Sequence, residues 1–154
     1  MSQSSEMDTT GVTVEGQHEH TVDVKGRVSI PSDFRTSLLL EEGAELIVTR
    51  HLNERCLLVY WPEAWDELKA QIENAPSRLA SALRRVVCGA ARRVRLDRLG
   101  RIQIPHTFRN YAELEGKCFL MGQGRVIECW SMSMWEMTHG PEVYDDFDLS
   151  EFNL

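Results

Sequence analysis

Two short stretches of the chain alternate apolar and polar residues, and each is followed by a proline. Residues 28–30 and 102–104 follow the period-two pattern that is typical of a half-buried strand. Further apolar runs have the length of strands and lie at residues 46–49, 57–60, 119–122 and 127–130. The pattern therefore predicts a mainly β chain.

The expected helices are short and follow the predicted strands. Pro62 begins one helix, and residues 132–137 form its counterpart later in the chain. Ser77 is the expected N-cap of a third helix, which ends near Gly89. Proline suits the first turn of a helix, because its missing N–H would have no partner there. Short helices are therefore expected at Pro31 and Pro105.

An internal repeat organises the chain. Residues 21–35 align without gaps on residues 95–109, at an offset of 74 residues. The identical pairs are Asp23/Asp97, Gly26/Gly100, Arg27/Arg101, Ile30/Ile104, Pro31/Pro105, Phe34/Phe108 and Arg35/Arg109. One such unit is too small to bury a stable core alone, so two units must pack together or intertwine. The repeat predicts a pseudo-symmetric module and a homo-oligomer.

Each repeat contains an Asp-x-x-Gly-Arg turn just before its alternating strand. Gly26 and Gly100 can adopt the positive φ that a tight turn requires. Asp23 and Asp97 can accept hydrogen bonds from the amides of their own turns. These four residues are therefore predicted to be structural residues of the turns.

Charge is distributed unevenly along the 154 residues. The formal net charge is −7 at pH 7, which is unfavourable for binding a nucleic acid. All 17 Lys and Arg nevertheless lie between residues 17 and 136, and residues 78–109 contain nine Arg against the single acid Asp97. This basic segment is a candidate contact for a polyanion.

The turns place cations at the tips of a β scaffold that fits the major groove of B-DNA. Lys25 and Arg27 belong to the first tip, and Arg98 and Arg101 belong to the second. Arginine can donate two hydrogen bonds to a guanine edge, while neighbouring cations hold phosphates. Double-stranded DNA is therefore the expected partner. In the alternative interpretation, Arg27 and Arg101 pair with Asp23 and Asp97 and only brace each turn; the two roles can coexist.

Other arginines of the basic segment differ in what their positions predict. Strand alternation sends Arg93 and Arg95 to one side of the strand that enters the second turn, from which they could contact phosphates. Arg84 and Arg85 are interpreted as the solvated face of the connecting helix.

Several function classes find no support in the sequence. There is no Gly-rich phosphate loop, no nucleophile elbow and no cluster of His and carboxylates, so we expect no enzyme, catalytic residue, cofactor or small-molecule substrate. The alternation of His18 and His20 is the weakest form of a metal signal, and no metal site is predicted. The four Cys are expected to be reduced residues of the core. Without an apolar run of membrane length or a secretory signal, a cytoplasmic protein is expected.

Three motifs together carry a resemblance to a known family. Residues 16–35, residues 56–65, and Gly89-Ala-Ala followed by the second Asp-x-x-Gly-Arg-Ile-x-Ile-Pro motif resemble the MraZ family of bacterial transcriptional regulators. The resemblance covers about residues 14–135 and is highly specific, because it combines two spaced turns with the segments between them.

The resemblance implies a fold, an assembly and a target. The fold would be α+β, mainly β with short helices, in two tandem AbrB-like swapped-hairpin β-barrel units. The assembly would be a ring of eight or more subunits, associated with the nucleoid. It would bind short G-rich direct repeats in the promoter of the division and cell-wall gene cluster and usually repress that cluster. The DNA-binding arginines of the family correspond to Arg27 and Arg101, with Lys25 beside the first.

The sequence departs from the family pattern at positions that affect these expectations. Leu99 stands where the first unit has Lys25, so the two turns are not expected to contribute equally. Arg92, Arg93 and Arg95 replace acidic residues that the family usually has after Gly-Ala-Ala.

The repeat and the resemblance divide the chain into five segments. We expect a flexible extension at residues 1–13, a first AbrB-like domain at 14–61, connecting helices at 62–89, a second AbrB-like domain at 90–136 and an acidic tail at 137–154. The apolar residues near the end of this tail motivate an alternative function. In it, the chain is a ring-forming interaction protein or an antitoxin-like AbrB relative that acts through a protein partner.

Overall fold

The computed structural model describes residues 9–154. The strands in this range are β1 (Val14–Val22), β2 (Arg27–Ser29), β3 (Glu45–Arg50), β4 (Leu57–Tyr60), β5 (Arg92–Arg95), β6 (Arg101–Gln103), β7 (Gly116–Gly124) and β8 (Ile127–Ser131). The helices are α1 (Ser32–Ser37), α2 (Pro62–Glu73), α3 (Ser77–Leu83), α4 (His106–Ala112) and α5 (Met132–His139). A π-helical turn (Arg84–Cys88) follows α3, and 3-10 turns follow α5 at Pro141–Tyr144 and Ser150–Phe152.

The two repeats exchange strands. The six-stranded sheet has the order β1-β7-β8-β4-β3-β5, and β2 pairs with β6 in a separate two-stranded ribbon. The first unit's β1 pairs with the second unit's β7 from Val14↔Gly124 to Val22↔Gly116, and the second unit's β5 pairs with the first unit's β3. All of these pairs are antiparallel.

This topology confirms the predicted fold class, which was mainly β with short helices (α+β) in two tandem units that form a pseudo-symmetric module. The larger sheet is open within the described residues, with β1 and β5 at its edges, so it is not a closed barrel.

Equivalent residues of the two repeats meet in the core. Val28 and Ile102 lie opposite each other in the β2–β6 ribbon and are both buried. Ile30 and Ile104 follow them and are buried as well. Burying these aliphatic side chains removes apolar area from water, and each contributes roughly 1.5–3 kcal/mol. One face of the ribbon is therefore packed against the hydrophobic core.

Two expectations about helix starts are wrong by one residue. Ser77 is the first residue of α3 and not its N-cap; Pro76 occupies the cap with ψ 142°. Pro31 and Pro105 likewise precede α1 and α4, because their ψ values of 140° and 146° are extended rather than helical. Their carbonyls accept the first helical hydrogen bonds, from Arg35 N at 3.0 Å and Arg109 N at 3.1 Å.

The segments at the two ends of the described range contact the sheet and its loops. Residues 1–8 of the predicted extension lie outside the described residues, whereas the carbonyl of Val12 accepts a hydrogen bond from Arg125 Nη1 at 2.6 Å. In α5, His139 stacks on Trp135 at 4.6 Å between ring centroids, and Tyr144 lies 5.9 Å beyond it. No helix in the described range is both long and apolar enough to cross a membrane.

Candidate nucleic-acid interface

The first turn is held by the side chain of Asp23. Its Oδ1 accepts hydrogen bonds from the backbone amides of Lys25 and Arg27, each at 2.9 Å. Its Oδ2 accepts a third from Arg27 Nε at 2.8 Å. Gly26 completes the turn at φ +82°, a conformation that L side chains rarely adopt. The Asp and the Gly of the motif therefore fix the position of the arginine.

The second turn repeats this geometry closely. Asp97 Oδ1 accepts from the amides of Leu99 and Arg101 at 2.9 Å, and its Oδ2 accepts from Arg101 Nε at 2.9 Å. Gly100 has φ +79°. The two turns of the repeat therefore have the same three hydrogen bonds to the aspartate.

The ion pairs leave part of each guanidinium available. In both turns the bond to aspartate uses Nε, and no bond from Nη1 or Nη2 of Arg27 or Arg101 is present within residues 9–154. The side chains of Arg27 and Arg101 are 34% and 27% exposed. A guanidinium held by Nε can still present its two terminal nitrogens to a planar acceptor pair. Bracing and binding are therefore compatible in this geometry.

The two aspartates remain ionised under ordinary conditions. The backbone hydrogen bond from Arg27 lowers the pKa of Asp23, with further contributions from the Arg27 side chain and the Lys25 amide. The pKa of Asp97 is lowered in the same way, first by the Arg101 amide. Hydrogen bonds to a carboxylate favour its charged form, so the brace persists at neutral pH.

Both turn arginines lie on one face of the two-stranded ribbon. The register pairs Arg27 with Gln103, Val28 with Ile102, and Ser29 with Arg101. Successive strand residues point to opposite faces, so the burial of Val28 and Ile102 places the other four on the outer face. We call Arg27, Ser29, Arg101 and Gln103 the polar ribbon face. Arg27 and Arg101 are diagonal neighbours there, roughly 7–8 Å apart at Cα.

Arginines from the opposite unit pack behind the turns. A Cβ on Gly26 would lie 2.7 Å from Arg109 Nε, and one on Gly100 would lie 2.7 Å from Arg35 Cζ. Arg35 Nε donates to the carbonyl of Ile30 at 3.0 Å, and Arg109 Nε donates to that of Ile104 at 3.2 Å. The interface prediction omitted these two arginines, although both belong to the identical positions of the repeat. Their identity in both units was the signal that could have identified them.

The remaining predicted residues occupy two different places. Lys25 and Arg98 are exposed at the tips of the turns. Arg93 and Arg95 lie on the same side of the edge strand β5, as the alternation predicts, and both face Glu45. The Arg93 Nη1 to Glu45 Oε1 distance is 2.7 Å, and Arg95 Nη2 lies 4.0 Å from Oε2. A phosphate at this edge would have to compete with that carboxylate.

Other candidate chemistry is not assembled in the described range. Residues 9–154 contain no group of three or more His, Cys, Asp and Glu that could hold a metal ion. Cys56, Cys118 and Cys129 are buried free thiols, and Cys88 is half-buried. The geometry therefore draws attention to the turns and the polar ribbon face.

A comparison with protein families matches residues 14–86 and again residues 87–139 to the family described as "MraZ protein, putative antitoxin-like". The chain belongs to the MraZ family. The "Transcriptional regulator MraZ" of Coxiella burnetii is 41% identical over 123 residues, which span 79% of this chain and 81% of the relative. The protein of that name from Saccharophagus degradans is 40% identical over 123 residues, covering 79% and 84%.

A third MraZ relative, from Legionella pneumophila, is 38% identical over 118 residues, covering 75% of this chain and 78% of its own. Among solved structures, the solution structure of PHS018 from Pyrococcus horikoshii matches 75% of this chain and 87% of its own, at a TM-score of 0.35 and 18% identity. That structural likeness is too low to inform the fold. The MraZ relatives confirm the family prediction, and their naming as transcriptional regulators supports the expectation of a non-enzymatic protein.

Proposed function

We propose that this MraZ chain regulates transcription by binding double-stranded DNA through its polar ribbon face and the two turns beside it. One observation carries the proposal: each turn arginine is anchored through Nε and keeps both terminal nitrogens available. Two rigid arginine forks on a two-stranded ribbon match the size and the hydrogen-bonding pattern of a major groove.

The proposed contacts divide into those that read bases and those that hold phosphates. Arg27 and Arg101 would each donate two hydrogen bonds to O6 and N7 of a guanine, which suits a G-rich site. Lys25 and Arg98 extend from the tips and would hold the flanking phosphates. Arg93 and Arg95 would add a weaker contact, because Glu45 already neutralises part of their charge.

The proposed assembly is a homo-oligomeric ring of eight or more subunits that engages successive direct repeats. Each module would bind its repeat weakly, and linking the modules would raise the total affinity through effective concentration. The proposed target is the promoter of the division and cell-wall gene cluster, where the protein would act as a nucleoid-associated repressor in the cytoplasm.

The proposal is tested by asking which DNA the full-length protein retains from a pool of random duplexes. We expect enrichment of a short motif with adjacent guanines, and an affinity that falls with salt at a log–log slope of roughly −0.9 per phosphate neutralised. Recovery of a pool without any enriched motif would contradict sequence-specific binding.

A second candidate function acts through a protein partner. Phe147, Phe152 and Leu154 are exposed apolar residues in a segment whose charged residues are all acidic, and the matched family is described as antitoxin-like. A protein partner would be supported by a stoichiometric complex that is lost on deletion of residues 141–154 while DNA binding is retained. Equal partner recovery by the full and shortened chains would exclude this role for the tail.

A further inference from the structure

The tips of the two turns carry apolar side chains that the fold does not bury. Val24 is 96% exposed and Leu99 is 58% exposed. Each lies between the aspartate and the glycine of its turn, where Gly, Pro, Asn, Asp and Ser are the usual residues. An apolar side chain at such a tip gains little burial within its own chain. Both side chains are therefore available for contact with a partner outside the chain.

These side chains belong to the same short turns as the anchored arginines, since Val24 lies three residues before Arg27 and Leu99 lies two residues before Arg101. Asp23 fixes the amides of Lys25 and Arg27, so the backbone on the C-terminal side of Val24 is constrained. The Arg27 side chain is only 34% exposed, whereas Val24 is almost fully exposed. A DNA duplex bound by Arg27 would lie close to Val24, because the two residues belong to one five-residue turn. The same argument applies to Arg101 and Leu99 in the second turn.

The floor of the major groove offers one apolar group to a protein, which is the C5-methyl group of thymine. We propose that Val24 and Leu99 contact thymine methyl groups beside the bases that the turn arginines read. The inference rests on the proposed DNA-binding function and adds a second base type to the recognised sequence. Aliphatic contact with a methyl group needs no hydrogen-bond geometry, so a valine and a leucine suit this role.

The two tips differ in the order of their residues. The first tip reads Val24 then Lys25, and the second reads Arg98 then Leu99. Under the pseudo-twofold of the ribbon, Val24 corresponds to Arg98 and Lys25 corresponds to Leu99. The two methyl contacts consequently lie one residue apart relative to their arginines. Each tip should be sensitive to a thymine at a different distance from its guanine.

Removal of single methyl groups from the DNA tests this proposal. The probe is the duplex that the full chain selects, with each thymine replaced in turn by uracil, which lacks only the C5-methyl group. We expect wild type to bind about fourfold more weakly when a contacted thymine is replaced, the effect of losing one buried methyl group. Replacement of the other thymines should leave the affinity unchanged.

Protein variants assign each methyl contact to its tip. Val24→Ala should abolish the sensitivity to uracil at one position and keep it at the other, and Leu99→Ala should do the reverse. Met137→Ala is the control, because Met137 is an exposed apolar residue on α5. It should keep both sensitivities. The measurement is fluorescence anisotropy on each duplex, with oligomeric state checked by light scattering.

Three results would overturn the inference while leaving the proposed function intact. They are a selected motif without thymine, equal binding of thymine and uracil duplexes by wild type, and unchanged uracil sensitivity in both tip variants. A change of oligomeric state in Val24→Ala with unchanged uracil sensitivity would instead assign the tips to contacts between copies. If wild type selects no motif at all, the proposed function fails and this inference fails with it.

Discussion

Gly26, Gly43 and Gly100 share a positive φ but have different surroundings, which separates backbone strain from steric overlap. A Cβ on Gly43 would meet nothing within 4 Å, so Gly43→Ala should cost only the strain of about 1–2 kcal/mol. A Cβ on Gly26 would lie 2.7 Å from Arg109 and 2.9 Å from the carbonyl oxygen of Ile104, and a Cβ on Gly100 would lie 2.7 Å from Arg35. Gly26→Ala and Gly100→Ala should therefore both be more destabilising than Gly43→Ala.

Chemical denaturation measures this order. We expect the loss of unfolding free energy in Gly26→Ala and in Gly100→Ala to exceed that in Gly43→Ala by at least about 1 kcal/mol. Equal losses of unfolding free energy in the three variants would mean that the packing of Arg35 and Arg109 behind the turns does not restrict a side chain at these positions.

The turn aspartates predict a dependence of stability on pH. Their pKa values in the folded chain lie below the ordinary value for aspartate, first because the amides of Arg27 and Arg101 donate to the carboxylates. A carboxylate with a lowered folded pKa stabilises the fold above its unfolded pKa and loses that contribution as pH falls through the folded value. The brace should therefore weaken only in acid, below about pH 4.

This pH dependence can be measured with a charge-removing pair of substitutions. Between neutral pH and about pH 3, the urea midpoint of wild type should fall more than that of Asp23→Asn combined with Asp97→Asn, which has no turn carboxylate to protonate. An equal fall of the urea midpoint in the two proteins would show that these carboxylates do not contribute to the pH dependence of stability.

At the level of single residues, the sequence predicted the hydrogen bonds within each turn better than the contacts that each turn makes with the rest of the fold. The Asp, Gly and Arg of each motif could be assigned because a turn is a local structure, determined by residues within five positions. The use of Nε for the brace and the packing of Arg35 and Arg109 behind the opposite turns could not be assigned. These contacts depend on how the two units interlock, which no local pattern encodes.

Arg125, in the turn between β7 and β8, binds the segment of residues 9–13 that precedes β1. Its Nη1 donates to the Val12 carbonyl, its Nε lies 3.0 Å from Glu67 Oε1, and its Nη2 contacts Glu63. Arg125→Ala leaves two carboxylates without their cation and should cost about 2–3 kcal/mol. Arg84→Ala is the control, because Arg84 lies 3.6 Å from Glu73 at an exposed site; it should cost less than about 1 kcal/mol.

Denaturation of both variants, together with amide exchange of residues 9–13, checks this role of Arg125. Exchange in that segment should accelerate in Arg125→Ala and stay unchanged in Arg84→Ala. Equal stability losses in the two variants would show that Arg125 does not clamp the segment.

Strand exchange makes each unit depend on the other. The partner of β1 is β7 and that of β2 is β6, so residues 14–86 alone lack both partners. We expect this fragment to be unfolded or to pair with a second copy of itself, since unpaired strands expose backbone groups and apolar faces. Heteronuclear NMR and light scattering distinguish these states from a folded monomer, and a folded monomer would contradict interdependence of the units.

The elements themselves could largely be predicted, because strand alternation and proline positions are local signals. The apolar runs at 46–49, 57–60, 119–122 and 127–130 lie within or coincide with β3, β4, β7 and β8. The pairing order could not be read from the pattern, because alternation indicates which face of a strand is buried and not which strand lies beside it. The size of the repeat indicated that the two units pack together or intertwine, and the swapped-hairpin arrangement was expected from the family resemblance.

The whole molecule combines a net negative charge with a proposed DNA interface that is locally basic. The charge of −7 includes five carboxylates in residues 141–154, a segment without Lys or Arg. Seven of the 17 Lys and Arg lie on the turns, the ribbon and the edge strand β5. Long-range attraction to DNA should therefore be modest, and the short-range geometry of Arg27 and Arg101 should determine which sequence is bound.

We propose that the guanidinium groups of Arg27 and Arg101 read guanines, and replacement of both residues by lysine tests this role. Lysine keeps the positive charge and can still pair with the turn aspartate, but it lacks the planar fork. The selected duplex and a random duplex are titrated against wild type, the double variant and Arg55→Lys, whose native arginine donates to the Tyr111 carbonyl away from the ribbon.

We expect the double variant to bind the selected duplex at least about tenfold more weakly, because it has lost the bidentate contacts. Its binding to the random duplex should be unchanged, and Arg55→Lys should match wild type on both. A folded double variant that keeps the wild-type preference for the selected duplex would contradict the account.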